Sequence, residues 1–260
     1  MNTLFDQMVQ RQLACGAADA CSALCGAVQE VVLAGLYRGG FFKVAAFCGE
    51  SCLRVFHGMK WRSDELEFSL LQKNPDFSFD PYFSAIADEA GLLGLGASVS
   101  RGERGRLWDV YYLEFRSDKE SRIRINVATN PVPGFATEQK LMLMPFSFSV
   151  RCVSLPSLFA AKVHDLALPG RKSRVMGRDL YGFEWFVRNR VQPDSGYLQA
   201  LAGGSVLAAV DALALLRERL ASADVAASKQ DVAPFVADGR ELDIWSCTYF
   251  LQLADMVSVE

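Results

Sequence analysis

The sequence predicts a mixed α/β fold (α+β) in which a sheet-containing half precedes a helical half. Three observations predict it. Between about residues 46 and 153 the runs "ELEFSL", "LWDVYYLEF", "RIRINVAT" and "FSFSVRCV" are rich in β-branched and aromatic residues and are separated by polar or Pro/Gly stretches, as strands are. From about 154 onward "SLPSLFAAKVHDLAL", "GRDLYGFEWFVRNR", "AAVDALALLRERL" and "ELDIWSCTYFLQLADM" repeat apolar residues at helical spacing. The breaks "LPGRKS", "QPDSG" and "SKQDVAPF" punctuate them. The expected division is therefore residues 1–153, N-terminal helices plus a sheet core, and residues 154–260, a helical domain.

Taken in order, the first 45 residues are helical in period, with Val28, Val31, Val32, Leu36 and Tyr37 on one stripe until Gly39 and Gly40 end it. Next, "FCGESCLRVFHGMKWRSDELEFSL" reads as a short strand, a glycine turn, a helix and a second strand. "GLLGLGASVSRGERG" lacks the strand-then-phosphate-loop context of a dinucleotide fingerprint and is expected to be a helix end and a hairpin loop. "ASADVAASKQ" is expected to be a surface loop.

A chain of 260 residues, 51% hydrophobic and 22% charged, can bury a sizeable core. Its net charge of -3 advertises no polyanion partner globally. Seven cysteines, an odd number without paired CxxC dyads, argue against a secreted disulfide framework. Cys21 with Cys25, and Cys48 with Cys52, lie four apart on expected helices and are read as small core residues. The N-terminus carries no basic segment followed by an apolar one, and no run approaches the roughly 18 apolar residues of a membrane span. A cytoplasmic protein without membrane insertion is expected.

The chemistry-bearing stretch is "GESCLR" followed by "SDELEFSL". In an extended segment Glu65 and Glu67 share one face while Leu66, Phe68 and Leu70 share the other. Two carboxylates so placed can hold a hard divalent cation, and Gly49 with Ser51 at a helix mouth can offer N–H groups and a hydroxyl to phosphate. The same alternation describes any strand with a solvated face. His57 and His164 have no partners at metal-ligand spacing, and Trp61 and Arg62 are read as packing residues beside the carboxylate strand.

The order of these pieces resembles the AbiEii/AbiGii nucleotidyltransferase toxin family, whose core is similar to the polymerase-β-type nucleotidyltransferase fold. "AFCGESCLR" resembles its Gly-Gly-Thr/Ser turn, "SDELEFSL" its acid-bearing strand, and "TNPVPGFATEQKLMLMPFSFSVRCVSLPSLFAAKVHDL" its strand pair and lysine-bearing helix. "RVMGRDLYGFEWFV" resembles its Arg-Asp helix and "DVAPFVADGRELDIWSCTYFLQL" its C-terminal end, so the likeness spans roughly residues 28–255.

The resemblance implies transfer of nucleotides from an NTP to RNA, with tRNA 3′ ends as an acceptor class, Mg²⁺ or Mn²⁺ as cofactor, and an antitoxin partner. It implies a nucleotide-binding set of Gly49, Glu50, Ser51 and Arg54, metal ligands Glu65, Glu67 and Glu50, and catalytic roles for Glu65, Glu67, Lys162 and Asp179. A serine near the site is also a place for control by phosphorylation, with Ser51 the expected exposed candidate.

The departures are specific. Both metal-site aspartates are glutamates, the second turn glycine is Glu50, Gly182 replaces a second acid after "RDLY", and "RIRINVATN" offers Asn126 and Ala128 where an acid is expected. The site is then either rebuilt around a convergence of Glu50, Glu65 and Glu67, or degenerate, with Glu50 turned away or paired with Arg54. A degenerate protein would act as a partner- or nucleotide-binding module. Between Ala160 and Arg190 seven basic and three acidic residues give a local charge of +4. Arg171, Lys172, Arg174 and Arg178 in that stretch are the RNA-binding candidates.

Overall fold

The computed structural model describes residues 3–17, 19–104, 108–116, 120–168, 175–204, 206–236 and 239–258. The chain forms two compact units: Met1–Gly58, Arg62–Pro131 and Thr137–Cys152 in one, Met59–Trp61, Val132–Ala136 and Val153–Glu260 in the other.

The first unit opens with α1 (Leu4–Ala14), started by a Thr3/Asp6 capping box, and α2 (Ala20–Arg38), capped by the Asp19 carboxylate. Then come β1 (Ala45–Cys48), α3 (Gly49–His57), β2 (Glu65–Leu70), α4 (Asp80–Leu92), β3 (Gly96–Arg104), β4 (Trp108–Arg116), β5 (Glu120–Ala128), β6 (Thr137–Met142) and β7 (Phe148–Val153). The strands form one mixed sheet in the order β3-β4-β5-β2-β1-β7-β6. Central β2 runs antiparallel to β1 and parallel to β5. This is the α/β class expected.

Alternation decides the two faces of the sheet. Leu66, Phe68 and Leu70 of β2, Ile123, Ile125 and Val127 of β5, and Tyr111, Leu113 and Phe115 of β4 are all buried. Phe41 packs edge-on against Phe68 at 5.1 Å and Tyr82 at 4.9 Å, and Phe79 stacks on Tyr111 at 4.8 Å, so aromatic rings fill much of the layer between helices and sheet. Glu65, Glu67 and Ser69 occupy the other, half-exposed face.

Two expectations are corrected in this unit. The segment read as a hairpin loop is strand β3, paired antiparallel with β4. Its glycines and serines are poor strand formers, and the partner strand supplies the order that the local sequence does not. Helix α2 also has the length and hydropathy to cross a membrane, with a mean hydropathy of 1.5 over an 18-residue window. In the fold that window is 67% buried, and Gln29 and Glu30 within it are buried polar residues with protein partners. It is apolar because it is covered by protein along most of its length.

The second unit holds α5 (Leu155–Ala167), α6 (Gly177–Arg188), α7 (Ser195–Leu201), α8 (Val206–Ala221), α9 (Val225–Val232) and α10 (Cys247–Ala254). Phe159 stacks on Phe186 at 4.8 Å in its core. Buried Glu184 accepts hydrogen bonds of 2.7 Å from Trp245 Nε1 and Tyr249 Oη, which offsets the cost of its desolvation. Trp61 packs between Tyr181 and Phe235, as its packing role required. The stretch "ASADVAASKQ" is a loop only over Ser222–Asp224, and from Val225 it is helix α9. Asp224 caps it through Ala227 N, and its small residues serve a close crossing, since Gly177 of α6 packs directly on the Ser228 backbone.

Candidate functional site

Strand β1 ends at Cys48, directly opposite Glu67 in the antiparallel register with β2. The chain then turns at Gly49, whose φ of +72° lies in the left-handed region, and enters α3. A Cβ at Gly49 would stand 1.7 Å from Glu67 Oε2, so a side chain there meets two independent obstacles, the backbone conformation and a carboxylate that would have to move. Glu67 thus sits at the N-terminal end of α3, where the partial positive charge of the first-turn amides favours an anion.

The loop before β2 is fixed from below. Gln29 of α2 donates from Nε2 to Ser63 O (2.9 Å) and Glu65 O (3.3 Å), and accepts from Arg54 Nη2 of α3. Cys25 donates its thiol proton to Ser63 O at 3.4 Å. Burial pushes that thiol up to about 12, so at neutral pH it remains a donor. Ser51 Oγ donates to Glu65 O. The side chains of α2 and α3 therefore hold the carboxylate strand in register with the turn.

Ser51 was expected to be exposed and available for modification. It is 2% exposed and its hydroxyl is committed to the β2 backbone, because the residue sits on the face of α3 that packs against that strand. Its structural task is to join turn and strand. Arg54 is likewise a strut: its guanidinium bonds Gln29, and burial holds it below its ordinary range.

On the half-exposed face Glu65 is engaged from β5. Parallel pairing sets Arg124 opposite Glu65 and Asn126 opposite Glu67. Arg124 Nη1 lies 3.1 Å from Glu65 Oε1, and Asn126 Nδ2 lies 3.4 Å from Glu65 Oε2. Glu50, in the first turn of α3, is 9% exposed. The Cys48 thiol is pushed up first by its burial and then by the Glu67 and Glu50 carboxylates near it. Among the described residues no three His, Cys, Asp or Glu side chains gather to hold a metal ion, so the convergence anticipated for Glu50, Glu65 and Glu67 is not formed. Glu65 and Glu67 share one face of β2, and two carboxylates suffice for a cation whose other positions are filled by water and substrate phosphate.

In the second unit Lys162 Nζ of α5 lies 3.2 Å from Asp179 Oδ1 in the first turn of α6, with both side chains nearly buried. Gly182 makes room for this lysine: a Cβ there would approach Lys162 Cε to 3.2 Å. Arg178 is exposed. Arg171, Lys172 and Arg174 lie outside the described residues.

Sequence reasoning singled out Asn126, which the structure places 3.4 Å from Glu65 Oε2, but it missed Arg124 and Gln29. The alternation in "RIRIN" was the available signal for Arg124, since it puts Arg124 and Asn126 on one face. Nothing local marked Gln29.

A mixed sheet whose central strand carries paired acids beside a glycine turn into a helix defines a protein of the nucleotidyltransferase fold. The family model "Nucleotidyl transferase AbiEii toxin, Type IV TA system" matches residues 31–242, and the chain belongs to that family. Among solved structures it resembles JHP933 from Helicobacter pylori, with a TM-score of 0.55 at 12% identity over 88% of each chain. It also resembles the MenT4 nucleotidyltransferase toxin from Mycobacterium tuberculosis H37Rv, with a TM-score of 0.50 at 16% identity over 94% of this chain and 98% of that one. At these identities the likeness concerns the fold. No curated protein matches the chain.

Proposed function

We propose that the protein is a toxin that transfers nucleotides from an NTP to RNA, with tRNA 3′ ends as the acceptor class, working in the cytoplasm under control of an antitoxin. The observation that carries this reading is the seating of the Glu67 carboxylate against Gly49, which brings the acid strand and the helix-mouth turn into one site. Glu65 and Glu67 would hold Mg²⁺ or Mn²⁺, which when bound neutralises phosphate charge and polarises the reacting oxygens. The protein's own contribution is positioning. The first-turn amides of α3 receive phosphate oxygens, and Gln29, Ser51 and Arg54 keep that turn in place against β2. Lys162, held by Asp179, is the cation assigned to substrate phosphate.

The test is incubation of purified protein with total tRNA, each labelled NTP in turn, and Mg²⁺ or Mn²⁺. Labelled tRNA is expected with at least one NTP. Calorimetry should show metal-dependent NTP binding in the wild type and its loss in Glu65→Ala/Glu67→Ala. The Arg124 ion pair on Glu65 favours a second reading, a catalytically degenerate module that binds a partner or nucleotide. Absence of metal-dependent NTP binding in the wild type would remove the enzyme reading and leave the binding module standing.

RNA binding is assigned to the basic stretch at Arg171, Lys172, Arg174 and Arg178. Charge reversal at the first three should weaken tRNA binding and lower the steepness of its salt dependence by about three phosphate contacts. Unchanged binding in a filter assay at two salt concentrations would remove that assignment.

A further inference from the structure

The carboxylate pair is flanked by a cation and by an unmet acceptor, both from β5. Arg124 binds Glu65 through one terminal nitrogen, 3.1 Å from Oε1, while its Nε–H is buried without an acceptor. Its side chain is 42% exposed and that of Glu65 24%, so the guanidinium has an open side to swing toward. Asn126, 7% exposed, donates its amide to Glu65 Oε2, and its own carbonyl Oδ1 is buried with no donor. A buried oxygen left without a donor is costly, and here it lies beside two acids. A divalent cation would satisfy it, since amide carbonyls serve hard cations as carboxylates do.

We propose that Arg124 is a guard residue: its guanidinium holds Glu65 while the site is empty and yields when a divalent cation binds Glu65, Glu67 and the Asn126 carbonyl. The inference rests on the reading of Glu65 and Glu67 as cation ligands and adds what competes for them. The arginine and a metal ion compete for the negative charge of the same carboxylate, so the ion pair lowers cation affinity by what the carboxylate gives up when the arginine yields. The third ligand is then a neutral carbonyl in the place of an acid, which accounts for the chain keeping Asn126 without a third carboxylate.

Arg124 acts through Glu65, and its removal therefore has a signature that damage to the fold would not give, a gain of affinity. Mn²⁺ binding without nucleotide, followed by loss of the free-ion paramagnetic resonance signal, should tighten about fivefold in Arg124→Gln, the scale of a partly exposed ion pair. Arg124→Lys, which keeps the charge, should bind near the wild-type level. Asn126→Leu should weaken binding roughly tenfold. Circular dichroism checks that each variant is folded. Wild-type binding that is unchanged or weaker in Arg124→Gln overturns the guard and leaves the proposed cation site intact. Absence of Mn²⁺ binding in the wild type and in Arg124→Gln alike overturns both.

Discussion

Gly49→Ala should abolish nucleotide transfer while leaving the protein folded. The methyl group would have to occupy a point 1.7 Å from Glu67 Oε2 and 2.7 Å from its Cδ, so the carboxylate must leave the helix mouth. The backbone at φ +72° adds strain of about 1–2 kcal/mol for any residue with a Cβ. A displacement of about 1 Å at a reacting centre costs on the order of 100-fold in rate. Gly58, which ends α3 at φ +74° with nothing within 4 Å of its missing Cβ, is the matched control. Gly58→Ala carries the same backbone strain without the collision and should retain transfer. If both variants lose activity equally, backbone strain is the cause, and the seating of Glu67 is not what the reaction needs. Labelled-NTP transfer and a thermal melt on the same samples separate the two.

What was legible in the sequence followed from short-range periodicity. The face shared by Glu65 and Glu67 and the turn before α3 were both readable, because strand alternation and glycine punctuation are local. The partner of Glu65 was not. Arg124 reaches it through a parallel pairing of β2 with β5, and such register depends on which strands meet, which no local pattern encodes. The same reason hid the bond from Ser51 to the β2 backbone and the bridging amide of Gln29. Small residues misled in the opposite direction. In "ASADVAASKQ" alanine and serine looked like a surface loop, yet from Val225 they form α9 and let another backbone approach, a requirement visible only once α6 is beside it. In α2, apolar length suggested nothing unusual in the sequence because glutamine and glutamate interrupt it, and those two residues prove to be buried and bonded.

The close crossing of α6 and α9 leads to the second large effect, one on stability. A Cβ on Gly177 would lie 2.0 Å from Ser228 O, 2.9 Å from Ser228 C and 2.6 Å from Val232 Cγ2. Two of these are backbone atoms of a helix and cannot rotate away, so Gly177→Ala must push the helices apart at a cost of about 1–3 kcal/mol. Ser228 is fully buried and bonds Val175 O, so separation also weakens a polar contact inside the core. For a chain of this size a loss of that order lowers the melting midpoint by about 2–4 °C per kcal/mol. Gly182, five residues along the same helix, meets only the flexible stem of Lys162 at 3.2 Å, and Gly182→Ala should melt close to wild type. Gly91 in α4 has nothing within 4 Å, and Gly91→Ala should raise the midpoint slightly through helix propensity. The ranking Gly177→Ala well below Gly182→Ala, with Gly91→Ala at or above wild type, is what close packing at α6 and α9 requires. A Gly177→Ala protein as stable as Gly182→Ala would show that the two helices part without loss. Asp179 lies two residues beyond Gly177 in the first turn of α6, so a displaced α6 should also disturb its ion pair with Lys162. Gly177→Ala is therefore expected to lower nucleotide transfer even at temperatures where the protein remains folded.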